Sequence, residues 1–248
     1  MKTFYFIIFF FFFFLSAFSQ NNTDSLQYFQ DSTIEETELG IPFYDKYNSI
    51  IGGDSLRYCN GKKCSEFIKD YYPDGKIKHK GYYVDGQLTS VYKNYYDNGQ
   101  LERSFKVNTP QKSTITIYYK DGTLRSKGKY LKASILEWED YYPNGNLESS
   151  EKNNKSLDYY IHFNFYYENG NPQNTLELID KKNKIYTSKE FFENGQVKQE
   201  GKRIQNQAIN DYFKSGKWLI YNKKGELIDK ETYVRGELID EASTTKDN

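Results

Sequence analysis

Tyr95-Tyr96-Asp97-Asn98-Gly99 is the stretch that decides the fold, because versions of it return along most of the chain. Each version has two adjacent aromatic residues, then two turn-forming residues, then a glycine; the last copy is looser. The glycines that end the copies are Gly75, Gly99, Gly122, Gly145, Gly170, Gly195 and Gly225, with spacings of 24, 23, 23, 25, 25 and 30 residues. A nearly fixed period of this size is the signature of a repeat protein. It favours a repeated structural unit over a single assembled active site.

Each repeat is predicted to contain a β-hairpin. Asn-Gly and Asp-Gly between alternating apolar residues are a strong hairpin signal, because glycine and asparagine tolerate the positive φ of tight turns. Past each glycine the chain alternates, as in Ile77 to Tyr83, and a second turn follows at Asp85-Gly86. Gly236 lies at the corresponding place in the last repeat. One repeat is therefore two short strands and two turns.

The predicted fold class is all-β: tandem antiparallel β-hairpin repeats that form an elongated, twisted meander sheet. Adjacent tyrosines point to opposite faces of a strand, so both faces of the sheet carry aromatic rings. Only 37% of the residues are hydrophobic, which favours a single layer stabilised by tyrosine ladders over a thick aliphatic core.

The first nineteen residues are predicted to be a signal peptide. Lys2 precedes the apolar run from Phe4 to Leu15, and Ala17-Phe18-Ser19 places small residues where a signal peptidase reads, so cleavage is expected before Gln20. A retained membrane anchor is the weaker interpretation, because a spanning helix needs about 20 apolar residues. The protein is therefore expected to be exported: periplasmic, secreted or associated with the cell envelope. No integral membrane span is expected after cleavage.

The remaining chain divides into three segments by composition. Residues 20–40 are predicted to be a flexible acidic lead. Residues 41–241 are predicted to form the repeat array, and residues 242–248 a disordered tail. Terminal repeats commonly deviate from the consensus because they cap the stack.

The two cysteines, Cys59 and Cys64, flank an Asn-Gly turn. If a four-residue loop closes there, the two residues face each other near the separation that a disulfide requires. An oxidising compartment favours that bond. Free thiols and a metal-binding pair are the alternatives, the second poorly supported without nearby histidines.

Charge and motifs restrict the function classes. The chain has 34 basic and 34 acidic residues, whereas nucleic-acid-binding surfaces need a basic excess. His79, on the polar alternation of its strand, and His162 lie in different repeats without a triad or metal partner. The recurrent acids, such as Asp97 and Asp121, are interpreted as turn formers. The sequence predicts no catalytic residues, no metal site and no cofactor, and hence a protein that is not an enzyme.

These repeats resemble the MORN-repeat variant family, whose units are similar to Y-Y-x-N-G-x-L followed by a strand. The match covers about residues 58 to 240, with the best copies at Tyr95 to Glu102 and Phe191 to Gly201. The resemblance implies a hairpin array used for binding and brings no catalytic residues. Similar proteins are often labelled YwqK-type antitoxins of toxin–antitoxin systems.

The predicted function is that of a protein-interaction or scaffold module, with an antitoxin or immunity role as a specific form of it. The alternative is an envelope carbohydrate-binding module, because exposed tyrosines can stack on sugars. The expected partner is a protein, or an envelope glycan under the alternative.

Overall fold

The computed structural model describes residues 47–48, 53–54, 56–109, 111–206 and 211–243. The predicted signal peptide and acidic lead, residues 1–40, lie outside the described residues. All regular elements in the described part are β-strands. The described residues contain no helix that is long and apolar enough to cross a membrane.

Nineteen strands are described, and their bounds follow in chain order. They are β1 Tyr47–Asn48, β2 Gly53–Asp54, β3 Tyr58–Cys59, β4 Lys62–Lys63, β5 Phe67–Tyr71, β6 Ile77–Val84, β7 Gln87–Tyr95, β8 Leu101–Thr109, β9 Lys112–Tyr118, β10 Leu124–Leu131, β11 Ser134–Tyr141, β12 Leu147–Asn153, β13 Tyr160–Tyr166, β14 Pro172–Asp180, β15 Ile185–Phe191, β16 Val197–Asn206, β17 Asp211–Tyr221, β18 Leu227–Val234 and β19 Glu237–Ser243.

Strands β5 to β19 form one antiparallel sheet in which every strand lies beside its neighbour in sequence. The predicted all-β meander of tandem hairpins is thereby confirmed. β1 with β2, and β3 with β4, form two separate two-stranded sheets. β19 runs to Ser243, two residues into the predicted tail, and residues 244–248 lie outside the described part.

The repeat turns are three-residue hairpin loops. In the first, the Gly75 amide donates to the Tyr72 carbonyl (2.9 Å) and the Tyr72 amide donates to the Lys76 carbonyl (2.8 Å). Only the glycine has positive φ, +82° for Gly75. This is the geometry of a β-turn followed by a glycine bulge. The asparagine or aspartate before the glycine is therefore not there to supply positive φ.

The second turns use a different geometry. Asp85-Gly86 and Arg235-Gly236 both have positive φ at their two central residues, as two-residue hairpin loops of type I′ require. Lys132-Ala133 adopts the same conformation without glycine, with φ of 51° and 63°. A side chain at positive φ costs roughly 1–2 kcal/mol per residue, so this turn is held by its flanking strands.

The described residues fall into two compact units. One contains the residues up to Ile68 together with Tyr82–Thr89, and the other contains Lys69–Gly81 and the residues from Ser90 onward. In the first unit, the Arg57 amide donates to the Gly86 carbonyl (2.8 Å) and the Gly86 amide donates to the Cys64 carbonyl (2.7 Å). These bonds connect the cysteine hairpin to the turn between β6 and β7.

In the second unit, one face of the sheet carries the core as a row of cross-strand partners. Consecutive pairings connect Tyr92, Phe105, Ile115, Gly128, Trp138, Glu151, Phe163, Leu176, Ser188 and Gly201 across β7 to β16. Tyr92, Ile115 and Leu176 are almost fully buried. A second row of cross-strand partners lies two residues away on each strand and is mostly polar. It includes Arg103, Ser126, Asp140, Ser149 and Asn174.

The core is mainly aromatic. Most of the buried hydrophobic side chains are rings: Tyr83, Tyr92, Phe105, Tyr130, Tyr159, Tyr186, Trp218 and Tyr233. Tyr83, Tyr130 and Tyr233 all lie eight residues past a turn glycine, on the face that the alternation predicts. The adjacent tyrosines of the repeat motif are a different set, and they have a different role.

Candidate functional site

The second tyrosine of each repeat motif connects its turn to the next repeat. The hydroxyl group of this residue donates to the backbone carbonyl of the first aromatic residue of the following motif. Five successive bonds of 2.7 to 2.9 Å connect Tyr72 to Tyr95, Tyr96 to Tyr118, Tyr119 to Tyr141, Tyr142 to Tyr166 and Tyr167 to Phe191. We call this series the tyrosine ladder. It explains the aromatic repeat as architecture, because each hydroxyl satisfies a carbonyl at the end of a strand.

The ring faces of several motif tyrosines are covered by cations of the same chain. The charged groups of Lys78, Lys80, Arg125 and Lys127 lie 5.2 to 5.9 Å from the ring centres of Tyr72, Tyr95, Tyr119 and Tyr141, respectively. Such cation–π contacts contribute about 0.5–1 kcal/mol at exposed sites. A ligand that stacks on the same face of one of these rings therefore has to displace a lysine or an arginine.

In six of the seven repeat turns, the polar residue before the glycine closes the turn with its side chain, and in the last turn Asn222 does so instead. Oδ1 of Asp121 accepts from the Thr123 amide (2.8 Å) and the Thr123 hydroxyl (2.7 Å). These two bonds hold the pKa of Asp121 below its usual range. Where the residue is asparagine, its Nδ2 also reaches the next turn, as Asn144 does to the Glu168 carbonyl (2.8 Å). The acid or amide is an intrinsic part of the turn, which is what an Asx-turn requires.

The structure places every predicted turn glycine in a hairpin loop at positive φ. The values are 82° to 92° for Gly75, Gly99, Gly122, Gly145, Gly170, Gly195 and Gly225. Most of these glycines have open space or only side-chain ends around them. Glycine is thus needed at these positions for its backbone conformation, since other residues rarely adopt positive φ.

The two cysteines form a disulfide whose Cα atoms are 5.1 Å apart. The loop differs from the four-residue loop expected from the sequence: Asn60-Gly61 is a two-residue turn, and Cys59 pairs with Lys62. Cys64 follows the β4 strand, so the bridge runs diagonally across the hairpin. Cys64 is buried, with 1% of its surface exposed.

The two histidines lie in different environments. His79 does not lie on a solvent face: it is 3% exposed, and its Nδ1 lies 2.8 Å from Oδ2 of Asp70. Its ring stacks on Tyr92 with centroids 4.6 Å apart. His162 is half-buried in β13 opposite Lys152 and Glu177. Among the described residues, no group of three or more His, Cys, Asp or Glu side chains could hold a metal ion.

Glu151 is the most perturbed acid of the core face. It lies in the row described above, between Trp138 on β11 and Phe163 on β13. Burial, with a smaller effect of the nearby Asp140 carboxylate, raises the pKa of Glu151 to about 7. Asp140 itself accepts hydrogen bonds from the hydroxyls of Ser126 (2.6 Å) and Ser149 (3.2 Å). The alternation of residues within β12 does not identify Glu151, because its burial depends on cross-strand neighbours.

A largely enclosed lysine lies among the aromatic rings of the last described repeats. Nζ of Lys214 lies 4.4 Å from the Trp218 ring centre and 4.6 Å from that of Tyr233. It also donates to Gln199 Oε1 (3.2 Å) and to Glu231 Oε2 (3.4 Å). Burial lowers the pKa of Lys214. This aromatic cage is occupied by the chain's own cation.

The tyrosine ladder is interrupted at Phe192, which has no hydroxyl. The next motif starts 30 residues later rather than about 24, and Asn194 reaches the Lys223 carbonyl at 3.2 Å. A shallow cleft of about 400 Å³ lies here, lined by Asn169, Phe192, Glu193, Asn194 and Lys223. The cleft lies where the tyrosine ladder ends, and it is not an enclosed pocket.

The outer edge of the sheet at β19 is a further exposed surface. Among the described strands, β19 has only β18 as a neighbour. Every side chain from Glu237 to Glu241 is exposed, including Leu238 (48%) and Ile239 (59%). The sequence alone does not single out this strand as a site.

Comparison with protein families gives four matches to the MORN repeat variant, at residues 68–85, 88–105, 136–151 and 187–204. The turns at Gly122, Gly170 and Gly225 lie outside these segments, yet they have the same pair of turn hydrogen bonds as Gly75. The repeat is therefore more regular in structure than in sequence. No curated protein matches the chain.

Three of the solved structures that match this chain are distantly similar to it. TarM is 11% identical over 60% of this chain and 21% of its own length, with a TM-score of 0.23. A mutant of S. aureus TarM in complex with Fondaparinux, alpha-GlcNAc-glycerol and UDP is 12% identical over 60% of this chain and 21% of its own length, with a TM-score of 0.22. The TcdB2-TccC3-Cdc42 structure is 10% identical over 75% of this chain and 14% of its own, with a TM-score of 0.20. This chain thus corresponds to about a fifth or less of each structure.

Proposed function

We propose that this chain, which carries MORN-variant repeats, is an exported, non-enzymatic module that binds another protein. MORN repeats are generally modules for interaction with proteins or membranes. The observation that carries the proposal is the use of the repeated residues within the array. The tyrosine hydroxyls are bonded to the next repeat, and the turn acids are bonded within their own turns. What the array offers to a partner is a broad sheet surface and its edges.

A protein partner is favoured over an anionic membrane or a nucleic acid by the charge. Basic and acidic residues are equal in number, and many are paired across strands, as Lys189 is with Glu200 (2.8 Å) and Lys152 with Glu137 (2.8 Å). Binding to polyanions depends on an excess of unpaired cations. An antitoxin or immunity role is the specific form of protein binding that the YwqK-type resemblance suggests.

Carbohydrate binding is the alternative function, and the ring contacts weigh against it. A sugar stacks on a free aromatic face, whereas the faces of Tyr72, Tyr95, Tyr119 and Tyr141 lie under lysine or arginine side chains. A glycan array probed with the purified chain separates the two functions. Saturable sugar binding that is lost when Tyr95 and Tyr141 are replaced by alanine would establish the alternative.

Export is part of the proposal and has its own experiment. The N-terminal sequence supports it, and a disulfide between Cys59 and Cys64 suits an oxidising compartment. Intact-mass measurement on protein recovered from the envelope fraction should give a chain that starts at Gln20. Recovery of the full-length chain from the cytoplasm alone, with both thiols reduced, would contradict export.

The binding function is tested with the intact mature chain. Cross-linking in cells followed by mass spectrometry identifies the partner, and calorimetry with the purified partner should give saturable binding at a defined stoichiometry. Sugars and unrelated acidic proteins are the controls. If the only reproducible ligand is a glycan, or if a substrate is turned over, the proposed function is wrong.

A further inference from the structure

The edge strand β19 has the properties of a docking site for a further strand, an inference that rests on the proposed function of protein binding. Its residues pair with β18 from Val234–Glu237 to Asp229–Ser243. Backbone groups on the outer side of an edge strand are a template for pairing with another chain. Among the described residues, no other strand pairs with β19.

Two adjacent apolar side chains of β19 are highly exposed. Leu238 pairs with the buried Tyr233 and so continues the core face, yet it is 48% exposed. Ile239, next in sequence, is 59% exposed. In β10 the residues of the core face are buried because strands lie on both sides. One more strand beside β19 would cover the outer flank of Leu238 in the same way.

The charge of β19 indicates which kind of strand fits. Glu237, Asp240 and Glu241 are acidic, and β19 contains no basic residue. Glu241 lies opposite Glu231, a like-charge pair that is unfavourable on its own. Glu231 accepts from Lys214 (3.4 Å) and from the Tyr233 hydroxyl (2.7 Å) on its inner side. Glu241 has no ion pair within the described part of the chain. A cation of a neighbouring strand could therefore pair with it on its outer side.

We propose that β19 binds an extended segment of a partner protein in which basic and apolar residues alternate. A basic residue of that segment lies beside Glu241, and an apolar residue lies beside Leu238. Main-chain hydrogen bonds supply affinity and the alternating side chains supply specificity, as in other cases of strand addition. A second copy of this chain is a poor occupant, because β19 against β19 would bring Glu237, Asp240 and Glu241 close to the same acids.

The test measures binding of labelled peptides of about 10 residues to the mature chain by fluorescence anisotropy. One peptide alternates lysine and valine, a second alternates glutamate and valine, and a third is the basic peptide with a central proline that cannot complete the strand hydrogen bonds. The basic peptide should bind at least about tenfold more tightly than either of the others.

Charge reversal at the edge gives the decisive comparison. The double variant Asp240→Lys with Glu241→Lys should reverse the preference to the acidic peptide. A matched variant, Glu168→Lys with Glu193→Lys, makes the same change in net charge at exposed turn residues and should keep the basic preference. Circular dichroism and the unfolding midpoint establish that both variants fold.

Four results would overturn the inference. Equal binding of the basic and proline peptides would show general attraction rather than strand addition. Equal effects of the two charge variants would place binding elsewhere. Self-association of the chain that is lost in the β19 variant would assign the edge to a second copy. A cognate partner bound equally by wild type and the β19 variant would leave the proposed function standing and reject only this edge.

Discussion

The ring of Trp218 lies against the backbone of Gly201, on the same face of two neighbouring strands. A Cβ atom built on Gly201 would lie 2.4 Å from the nearest ring carbon. Trp218 is 1% exposed, and its Nε1 donates to the Lys202 carbonyl at 3.2 Å. Gly128 and Trp138 repeat the arrangement, with a Cβ placed 2.2 Å from the ring. Gly128 and Gly201 thus each make room for a tryptophan of the next strand.

Gly201→Ala should destabilise the chain by about 2 kcal/mol or more, because overpacking forces the indole ring from its position. The measurement is the free energy of unfolding in urea. Gly216→Ala is the control, since no atom lies within 4 Å of its Cβ position and only its positive φ opposes alanine. It should cost about 1 kcal/mol. Equal losses in the two variants would contradict steric exclusion by Trp218.

Phe192→Tyr should extend the tyrosine ladder by one bond. The five preceding motifs have tyrosine at this position, with hydroxyl-to-carbonyl distances of 2.7 to 2.9 Å. The added hydroxyl should stabilise the chain by about 0.5–1 kcal/mol, the net value of one hydrogen bond. Tyr119→Phe is the reciprocal variant and should lose about as much. Urea midpoints measure both, and an unchanged Tyr119→Phe midpoint would show that the ladder does not contribute to stability.

Ala133→Gly should stabilise the chain by about 1 kcal/mol, because the native φ of 63° penalises alanine but not glycine. Thermal unfolding should show a higher midpoint. Ser134→Gly is the neighbouring control, where the residue is in strand β11 and glycine should cost about 0.5–1 kcal/mol. If both variants destabilise equally, relief of turn strain is not the dominant effect at position 133.

Glu151 should make stability fall as the pH rises. Its pKa is raised from 4.5 in the unfolded chain to about 7 in the folded chain, so the folded state holds the proton more tightly. The resulting stabilisation is complete below about pH 4.5 and is lost as the pH rises through about 7. Glu151→Gln cannot ionise, so it should be more stable than wild type at about pH 8, by about 2–3 kcal/mol.

The measurement is the difference in unfolding free energy between wild type and Glu151→Gln across this pH range. Taking the difference removes the contributions of groups common to both chains. Glu226→Gln, at an exposed turn position, is measured in parallel as the control. A difference for Glu151→Gln that does not change with pH would mean that its carboxyl is solvated in the folded state.

The repeat architecture was predictable from the sequence because it depends on local chemistry. A glycine at positive φ and an Asx side chain that closes its own turn involve residues within one loop, and they recur at Gly75, Gly99 and their successors. The environment of His79 was predicted wrongly as a polar face. Its burial depends on Asp70 and Tyr92, which lie on the neighbouring strands β5 and β7. Alternation within one strand cannot supply that information.

By itself the sequence determined the all-β repeat, the order of its hairpins and the positions of the turns, because these follow from backbone preferences over a few residues. Only the tertiary structure decided which tyrosines are buried and which connect successive turns. It also decided that Glu151 lies in an apolar row and that β19 has an uncovered acidic edge. The physical reason is cross-strand register: burial, charge pairing and the end of a sheet are set by neighbours that are distant along the chain.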